Sequence, residues 1–599
     1  MSQIHSFHIP VMGTGFTIDT PVKVAPYGID SVISIIDHRL VEQMREYHCR
    51  QTGRPFNPIS EKEDDNRARR ITSYLNLVHE IVTEKFEQLK RSAFESGTEI
   101  SKYFSMLSDH SPLKKEYLAS RQLDGARRTS AEEALRAKIR PGSIDVNVMT
   151  KLDRPSYTME GTLLPNEYNE AHAAIRGFAN SNLHSSVVLS AGLNPRLYSY
   201  MASFDSFLPD NWGAFAKKII LKVSDYRSAL VQGRFLAKKG LWVSEFRIES
   251  GLNCGGHAFA TDGYLLGPIL EEFNQKRHEL VDSLFESIQS VWQGLNKTFH
   301  TSPPPIRVTA QGGVGTAEEH RFLLENYKVD SVGWGSPFLL VPEAVNVDAH
   351  TRELLRKGDE SQFYLSDVSP LGIRFNTIRG TSAERRRDEI NEQGTPGHTC
   401  YKKHLSFNTD FSEKPICLAS KTYQNNKIAE LKDKGLQPAE FARMLHKITE
   451  KVCLCMGLGN SLAAEDKVGK NKKMEEIAIC PGPNTAYFTR IVSLHEMIDH
   501  IYGKANILEV AERPNMFIKE LSMYIDYLKE KLGEYAGAVQ PAQIKFLHTF
   551  QENLHEGIRY YQHLVTDTKE QFDEALKGLT LQLQGLQLEF MALQPDESN

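Results

Sequence analysis

The run Leu241-Trp242-Val243-Ser244-Glu245-Phe246-Arg247-Ile248 leads directly into Glu249-Ser250-Gly251-Leu252-Asn253-Cys254-Gly255-Gly256-His257. An apolar, β-rich run that opens into glycines predicts a buried strand followed by a tight turn. Gly255 and Gly256 lack a Cβ, so the backbone there can approach a flat ring closely. His257 adds an imidazole, which can transfer a proton near neutral pH.

The same unit, a short β-rich run followed by a helical stretch, recurs along the first part of the chain. The candidate strands are Ile9–Met12, Ser31–Ile36, Ile144–Thr150, Ser185–Ser190, Lys218–Val223, Val243–Ile248, Ile306–Ala310 and Asp330–Trp334. Near-continuous apolar strands that alternate with helices indicate parallel pairing with both faces covered. Eight such units predict a closed (β/α)₈ TIM barrel, and an open doubly wound sheet is the alternative.

A chain of 599 residues is too long for one core. We expect a barrel over residues 1–350, a loop-rich region with many cysteines over 351–484, and a helical appendage over 485–599. Apolar residues at helical spacing predict a helical insertion at about 50–140, which could form a lid over the active site or a packing or oligomer contact. The last helices could pack on their own barrel or form a homodimer.

Composition narrows the function classes. A formal net charge of -5 with 25% charged residues argues against a nucleic-acid footprint. No run approaches the ~20 apolar residues of a membrane helix, and the first ten residues lack the features of a secretion signal. We therefore expect a cytoplasmic protein whose seven cysteines are reduced thiols or ligands.

The carboxyl ends of barrel strands form active sites, so we examined what each strand end offers. The first strand leads into Gly13-Thr14-Gly15, which allows close approach to a ring. Asn147 on the third strand could hydrogen-bond a ring edge. Lys222 on the fifth could balance negative charge on a reduced flavin, or it could form a salt bridge at the rim.

Two glycine-rich turns follow the last two strands. They are Gln311-Gly312-Gly313-Val314-Gly315-Thr316, ahead of a helix at Ala317, and Gly333-Trp334-Gly335-Ser336. Backbone amides in such turns bind anions, and phosphate sites in these barrels commonly use the loops after strands seven and eight. Gly312, Gly313, Gly315, Gly335 and Ser336 are therefore the predicted phosphate site.

The ordered motifs Lys222-Val223-Ser224, Gly255-Gly256-His257, Ala310-Gln311-Gly312-Gly313 and Gly335-Ser336-Pro337-Phe338 resemble the nitronate monooxygenase (2-nitropropane dioxygenase-like) group. That group includes flavin-dependent enoyl reductases, and the resemblance covers roughly residues 9–344. It implies an FMN-binding TIM barrel in which Gly255 and Gly256 pass the flavin and His257 faces the substrate. The first turn departs from the family's usual glycine-glycine-methionine.

The resemblance implies an oxidoreductase acting on a small organic or acyl-thioester substrate, with NAD(P)H as one candidate donor. We expect His257 to act as general acid or base, although it could instead only hydrogen-bond the flavin. Enoyl reduction and nitronate oxidation both remain open. A flavin-binding scaffold without chemistry is the non-enzymatic alternative.

Five cysteines are concentrated after the barrel: Cys400, Cys417, Cys453, Cys455 and Cys480. Cysteines beside Pro and Gly turns suit an iron-sulfur cluster, which could supply single electrons to the flavin. The spacings match no compact ferredoxin pattern, and zinc sites usually show two close pairs. Ordinary reduced cysteines are the competing interpretation.

Overall fold

The structure is a computed structural model. It describes residues 3–150, 153–158, 160–190, 192–253, 262–295, 301–399, 401–465, 467–469, 476–509, 513–534, 540–567, 576 and 579–591. Its first part is a closed barrel of eight parallel strands in sequence order, so the TIM barrel is confirmed and the open sheet is excluded. The strands are β1 Phe7–Ile9, β2 Asp30–Ser34, β3 Ile144–Val148, β4 Ser185–Leu189, β5 Lys217–Val223, β6 Val243–Glu249, β7 Arg307–Gln311 and β8 Ser331–Gly333.

The strands form where the apolar runs predict them, because both of their faces are buried. In β5, for example, Ile219, Ile220 and Leu221 are all almost fully buried. Several strand ends differ from the prediction by one to three residues. Most notably, β1 ends at Ile9, so Gly13–Gly15 lie in the loop beyond it.

Helices surround the barrel and fall in the stretches that the spacing predicts. Side chains of Asp225 and Thr316 accept hydrogen bonds from the first turns of the helices Tyr226–Ala237 and Ala317–Glu325, which fixes where those helices begin. The helices packed around the strands are α1 Thr20–Val24, α2 His38–Gln51, α3 Asn66–Arg91, α7 Glu170–Ala179, α8 Pro195–Met201, α9 Tyr226–Ala237, α10 Leu266–Gly294 and α11 Ala317–Glu325.

The insertion continues past α3 with α4 Glu99–Ser105, α5 Pro112–Ser120 and α6 Gly125–Lys138. Ile4 and Tyr27, which precede β1 and β2, pack against the hydrophobic cluster of these helices. The Tyr27 hydroxyl donates to Glu99 in α4. Helices α4–α6 therefore lie at the amino end of the barrel, and the lid hypothesis is wrong for them because they sit opposite the carboxyl ends of the strands.

The region after the barrel contains a two-stranded antiparallel sheet that the sequence analysis missed, β9 Phe363–Ser366 and β10 Phe375–Ile378. The other main elements are helices, both in the appendage, as the sequence predicts, and in residues 351–484, where it predicts loops. They are α12 Ala349–Lys357, α13 Ser382–Glu392, α14 Lys421–Asp433, α15 Pro438–Thr449, α16 Leu454–Gly457, α17 Ser461–Ala464, α18 Leu494–Ile501, α19 Met516–Glu534, α20 Pro541–Asp567 and α21 Leu579–Met591.

The last helices join the core of the barrel. Buried Leu521 of α19 and Leu554 of α20 belong to the same hydrophobic cluster as Leu270 of α10. The appendage therefore packs on its own barrel, and a homodimer stays a prediction. Across the described ranges, no helix is both long enough and apolar enough to span a membrane.

Candidate active site at the carboxyl end of the barrel

A polar cluster centred on Glu249 lies at the carboxyl ends of three neighbouring strands. Glu249 Oε1 lies 2.8 Å from Lys222 Nζ at the end of β5. The same oxygen accepts hydrogen bonds from Gln311 Nε2 at the end of β7 (2.7 Å) and from Asn253 Nδ2 (2.6 Å). These contacts fix the Lys222 ammonium at the mouth of the barrel, where the Glu249 carboxylate balances its charge.

Asn147 Oδ1 and Thr14 Oγ1 at this end are buried and have no hydrogen-bond partner within the described residues. The Gln311 side chain, by contrast, also hydrogen-bonds His8 of β1. Burying a polar atom without a partner costs about 1–3 kcal/mol. The two unpartnered atoms lie at the same end of the barrel as Lys222. A ligand bound at this end could supply their missing partners.

The turn after β7 has the conformation that its glycines predict. Gly312 and Gly313 have φ of 107° and 89°, which other residues adopt only with strain. A Cβ on Gly313 would lie 2.7 Å from the Leu252 side chain, so the turn packs tightly on the segment after β6. The loops after β6 and β7 therefore form one surface.

The amide of Gly315 already has an anionic partner inside the chain. It donates to Glu319 Oε2 at 2.9 Å, in the first turn of α11. Arg513 pairs with both oxygens of this carboxylate, at 2.8 and 2.9 Å, and donates to the Gly313 carbonyl at 2.8 Å. A helix N-terminus favours negative charge, and here Glu319 supplies it.

The turn after β8 also contacts a later part of the chain. The amide of Gly482 donates to Ser336 Oγ at 3.1 Å, and a Cβ on Gly482 would lie 2.6 Å from that oxygen. Asn484 Nδ2 donates to the Val314 carbonyl at 2.9 Å. Residues 480–484 thus lie directly on the predicted phosphate turns.

The glycine turn after β1 is contacted in the same way. Gly15 donates from its amide to the Leu458 carbonyl at 2.9 Å. A Cβ on Gly15 would lie 3.0 Å from the Cα of Gly459. The close approach that the glycines allow is made in this structure by the backbone of residues 458–459.

We call residues 401–406, 452–460 and 478–484 the cover, because they contact the loops at the carboxyl ends of the strands. Lys402 Nζ lies 2.5 Å from Asp37 Oδ2, just after β2. His404 lies between Asp37 and Glu170, 3.8 and 3.2 Å from their nearest oxygens. Burial opposes its protonation, but hydrogen bonds to the two carboxylates outweigh burial and raise the pKa of His404 to about 9. A charged His404 therefore joins the cover to the barrel at neutral pH.

The cysteines belong to the cover and its surroundings. Cys417, Cys453, Cys455 and Cys480 are buried in one small hydrophobic cluster. Ile36 and Met149, which follow β2 and β3 closely, pack against it, so the cluster lies at the mouth of the barrel. No group of three or more His, Cys, Asp or Glu side chains in the described part of the chain is arranged to hold a metal ion. Cys400 lies outside the described residues, so the iron-sulfur hypothesis stays a prediction.

Gly255, Gly256 and His257 lie in residues 254–261, outside the described part of the chain. Their predicted roles stay predictions. The residues on either side are described: Asn253 joins the Glu249 cluster, and Leu266 begins α10.

The residues present fit the ring of a flavin better than its phosphate. Asn147 offers an unsatisfied amide oxygen, Gln311 offers a second amide, and Lys222 offers a cation, as a hydrogen-bonding ring that gains negative charge requires. At the predicted phosphate site, Gly315 and Ser336 already contact Glu319 and Gly482. A phosphate there would have to share the Gly315 amide with Glu319 and the Ser336 hydroxyl with Gly482. Arg513, which pairs with Glu319, is a nearby cation.

Sequence reasoning missed Glu249, Gln311, Asn253 and Arg513 as site residues. The sequence could have indicated the first three, because each lies at the end of β6 or β7 or in the turn after β6. Each is close to glycines that the sequence does single out. Arg513 gave no signal, because it lies 198 positions beyond Gly315 and follows no strand. The contact exists only through the fold of the C-terminal region.

Comparisons with known proteins add little. No protein-family model and no curated protein matches the chain. Eleven chains of known structure match. One is the enoyl reductase domain of MlnA from the macrolactin biosynthesis cluster of Bacillus amyloliquefaciens, with 15% identity over 67% of this chain and 87% of that chain and a TM-score of 0.31. A likeness this low supports no argument about function, and the closed barrel itself establishes the fold.

Proposed function

We propose that this chain is an FMN-dependent oxidoreductase that transfers a hydride or electrons between the flavin and a small organic or acyl-thioester substrate. The observation that carries the proposal is the Lys222–Glu249–Gln311 cluster, together with the unsatisfied amide oxygen of Asn147 at the same end of the barrel. Reduced FMN, when bound, would supply the hydride.

In this proposal the chain's own residues bind and orient. Asn147 and Gln311 hydrogen-bond the edge of the ring, and Lys222 balances the negative charge of its reduced form. Glu249 holds the Lys222 ammonium in place at 2.8 Å. Gly312, Gly313, Gly315, Gly335 and Ser336 surround the phosphate end, and the cover excludes water from the mouth.

His257 is the proposed proton-transfer group, because the sequence carries this imidazole in the segment between β6 and α10. Its role is general acid if the substrate is an enoyl thioester, and general base if it is a carbon acid such as a nitroalkane. Replacement by alanine should lower turnover by about a hundredfold or more while FMN still binds. Unchanged turnover would remove this role and leave the flavin proposal standing.

The binding test uses two lysines of the same strand. Lys222→Met removes the cation at the carboxyl end of β5, and Lys218→Met, four residues earlier, removes an exposed one. In a fluorescence titration with FMN, we expect Lys222→Met to weaken binding by about tenfold or more, which is about 1.4 kcal/mol, and Lys218→Met to bind as the wild type does. Equal affinities for all three proteins would contradict the placement of the ring.

The reductant separates the two reaction classes. Rapid bleaching of bound FMN by NADPH or NADH supports an enoyl reductase. Bleaching only by an organic substrate, followed by oxygen consumption, supports a monooxygenase. These anaerobic mixing experiments also decide whether NAD(P)H is a donor.

A further inference from the structure

The carboxylate of Glu520 reaches from α19 of the appendage to both ends of the segment that connects β6 to α10. Oε1 accepts from Ser250 Oγ at 2.8 Å and from the Gly251 amide at 3.3 Å, just after β6. Oε2 accepts from the Leu266 amide at 2.8 Å, at the start of α10. One side chain therefore joins two points that lie 15 positions apart in the sequence.

Each end needs this partner. Leu266 is the first residue of α10, whose N-cap residue Leu265 has no side-chain acceptor. The first amides of a helix have no partner within it, so Glu520 supplies one from another helix. At the other end, a Cβ on Gly251 would lie 2.8 Å from side-chain atoms of Met523 and Tyr524. The appendage thus touches the backbone directly after β6.

Helix α20 holds the second end further. The Gly267 amide donates to Tyr561 Oη at 3.2 Å, and Asn553 Nδ2 donates to the Asp262 carbonyl at 2.7 Å. Gly263 has φ of 91°, and a Cβ there would lie 2.6 Å from the Phe550 carbonyl oxygen. Residues 262–267 are therefore shaped by the appendage.

We infer that Glu520 is a positioning residue that holds the two ends of the β6–α10 segment together, and that the helical appendage serves the active site through it. The inference rests on the proposed function only for its effect on turnover, because the sequence of this segment carries His257. The hydrogen bonds themselves stand without it.

The protonation state of Glu520 gives the inference a second readout. Burial raises the pKa of Glu520 to about 7, although the three hydrogen bonds it accepts lower it. Among the described residues, the groups that face this carboxylate include these three donors and the Tyr561 phenol. A carboxyl whose pKa is raised by burial binds its proton more tightly in the closed state than in an open, solvated one. Both ends should therefore be held most firmly in acid, and opening should become easier as pH rises from 4.5 through about 7.

The experiment is hydrogen exchange with mass spectrometry on peptides that contain Gly251 and Leu266, at pH values on both sides of 7 after correction for the intrinsic rate. Glutamine has one acceptor oxygen where glutamate has two. Glu520→Gln should therefore keep protection at one end and lose about tenfold at the other, and Glu520→Ala should lose it at both. Glu530→Gln is the matched control, since Glu530 lies on the same helix and pairs with Arg374 instead.

If Glu520→Gln exchanges like Glu530→Gln at both ends, the inference is overturned. This variant decides the matter if the alanine variant does not fold.

Should the wild type bind no FMN, the proposed function fails while exchange still tests the positioning role. Should FMN bind equally to all variants, turnover of Glu520→Gln is expected to fall about tenfold and to lose the wild-type pH dependence near 7. Unchanged turnover and pH profile would contradict the link to the active site.

Discussion

Two glutamates on β6, four residues apart, differ in burial and in partners at the two ends of the barrel. Glu245 is buried toward the amino end and accepts hydrogen bonds from Arg247 and from Thr309, with Arg307 at 3.3 Å. Glu249, at the carboxyl end, is partly exposed and contacts Lys222 and two amide side chains. The first set pairs two arginines with one buried carboxylate, whereas the second lies at the same end of the barrel as the unsatisfied Asn147 oxygen.

The electrostatics separate the two ends in the same way. Burial alone would raise the pKa of Glu245, but Arg247 and Arg307 outweigh it and lower that pKa to about 2. The ionised carboxylate of Glu245 therefore stabilises the folded state. Lys222 and the amide groups of Gln311 and Asn253 instead contact Glu249, and the Lys222 and Glu249 side chains are less deeply buried than Arg247 and Glu245. Deeply buried charge at the amino end therefore serves the fold, and the carboxyl end keeps its charges nearer to solvent.

The largest expected effect comes from Glu245→Gln. It leaves the buried Arg247 and the partly exposed Arg307 without this carboxylate, which should lower the free energy of unfolding by about 3–5 kcal/mol. Glu249→Gln, the control on the same strand, should cost about 1 kcal/mol because its amide partners persist. Urea unfolding followed by circular dichroism checks both, and equal losses would break the comparison.

The free energy of unfolding at acid pH should also depend on Glu245. A carboxyl whose pKa is lowered by folding stabilises the protein above its unfolded pKa and loses that contribution as pH falls through the folded value. From the usual 4.5 to about 2, Glu245 should contribute about 3 kcal/mol at neutral pH, lost progressively below pH 4.5. Urea unfolding at several pH values should show this loss in the wild type and not in Glu245→Gln. An identical acid dependence in both proteins would show that Glu245 is not responsible.

The smallest effect is expected at the carboxyl end, from Asn147→Leu. This change removes a buried oxygen that has no partner in the described part of the chain. We expect the protein without flavin to gain about 1 kcal/mol of stability, and FMN to bind about tenfold more weakly. Thermal unfolding and FMN titration measure the two. Tight FMN binding by the variant would show that Asn147 does not contact the ring.

Most of the barrel could be predicted because its information is local. Ile219, Ile220 and Leu221 form a short apolar run that only a strand with both faces buried explains. The same reasoning identifies Lys222 and Asn147, because each is a polar residue in an otherwise apolar strand. The turn at Gly312 and Gly313 was also predictable, because positive φ favours glycine.

The cover and the Glu520 contacts could not be predicted in this way. Gly15 meets Leu458 and Ser336 meets Gly482 across separations of more than a hundred residues. No periodicity in either segment marks such a contact. The choice between a lid and a packing contact for the insertion stayed open for a similar reason, because helical spacing shows which face of a helix is apolar but not which end of the barrel that helix covers.

The central claim is that the carboxyl end of this barrel holds one FMN, and the absorption spectrum tests it most directly. The chain is purified anaerobically, incubated with FMN and freed of unbound flavin by gel filtration. We predict flavin bands at a ratio of one FMN per chain, and a ratio reduced in Lys222→Met but not in Lys218→Met. A wild-type protein that stays colourless after this treatment would contradict the account.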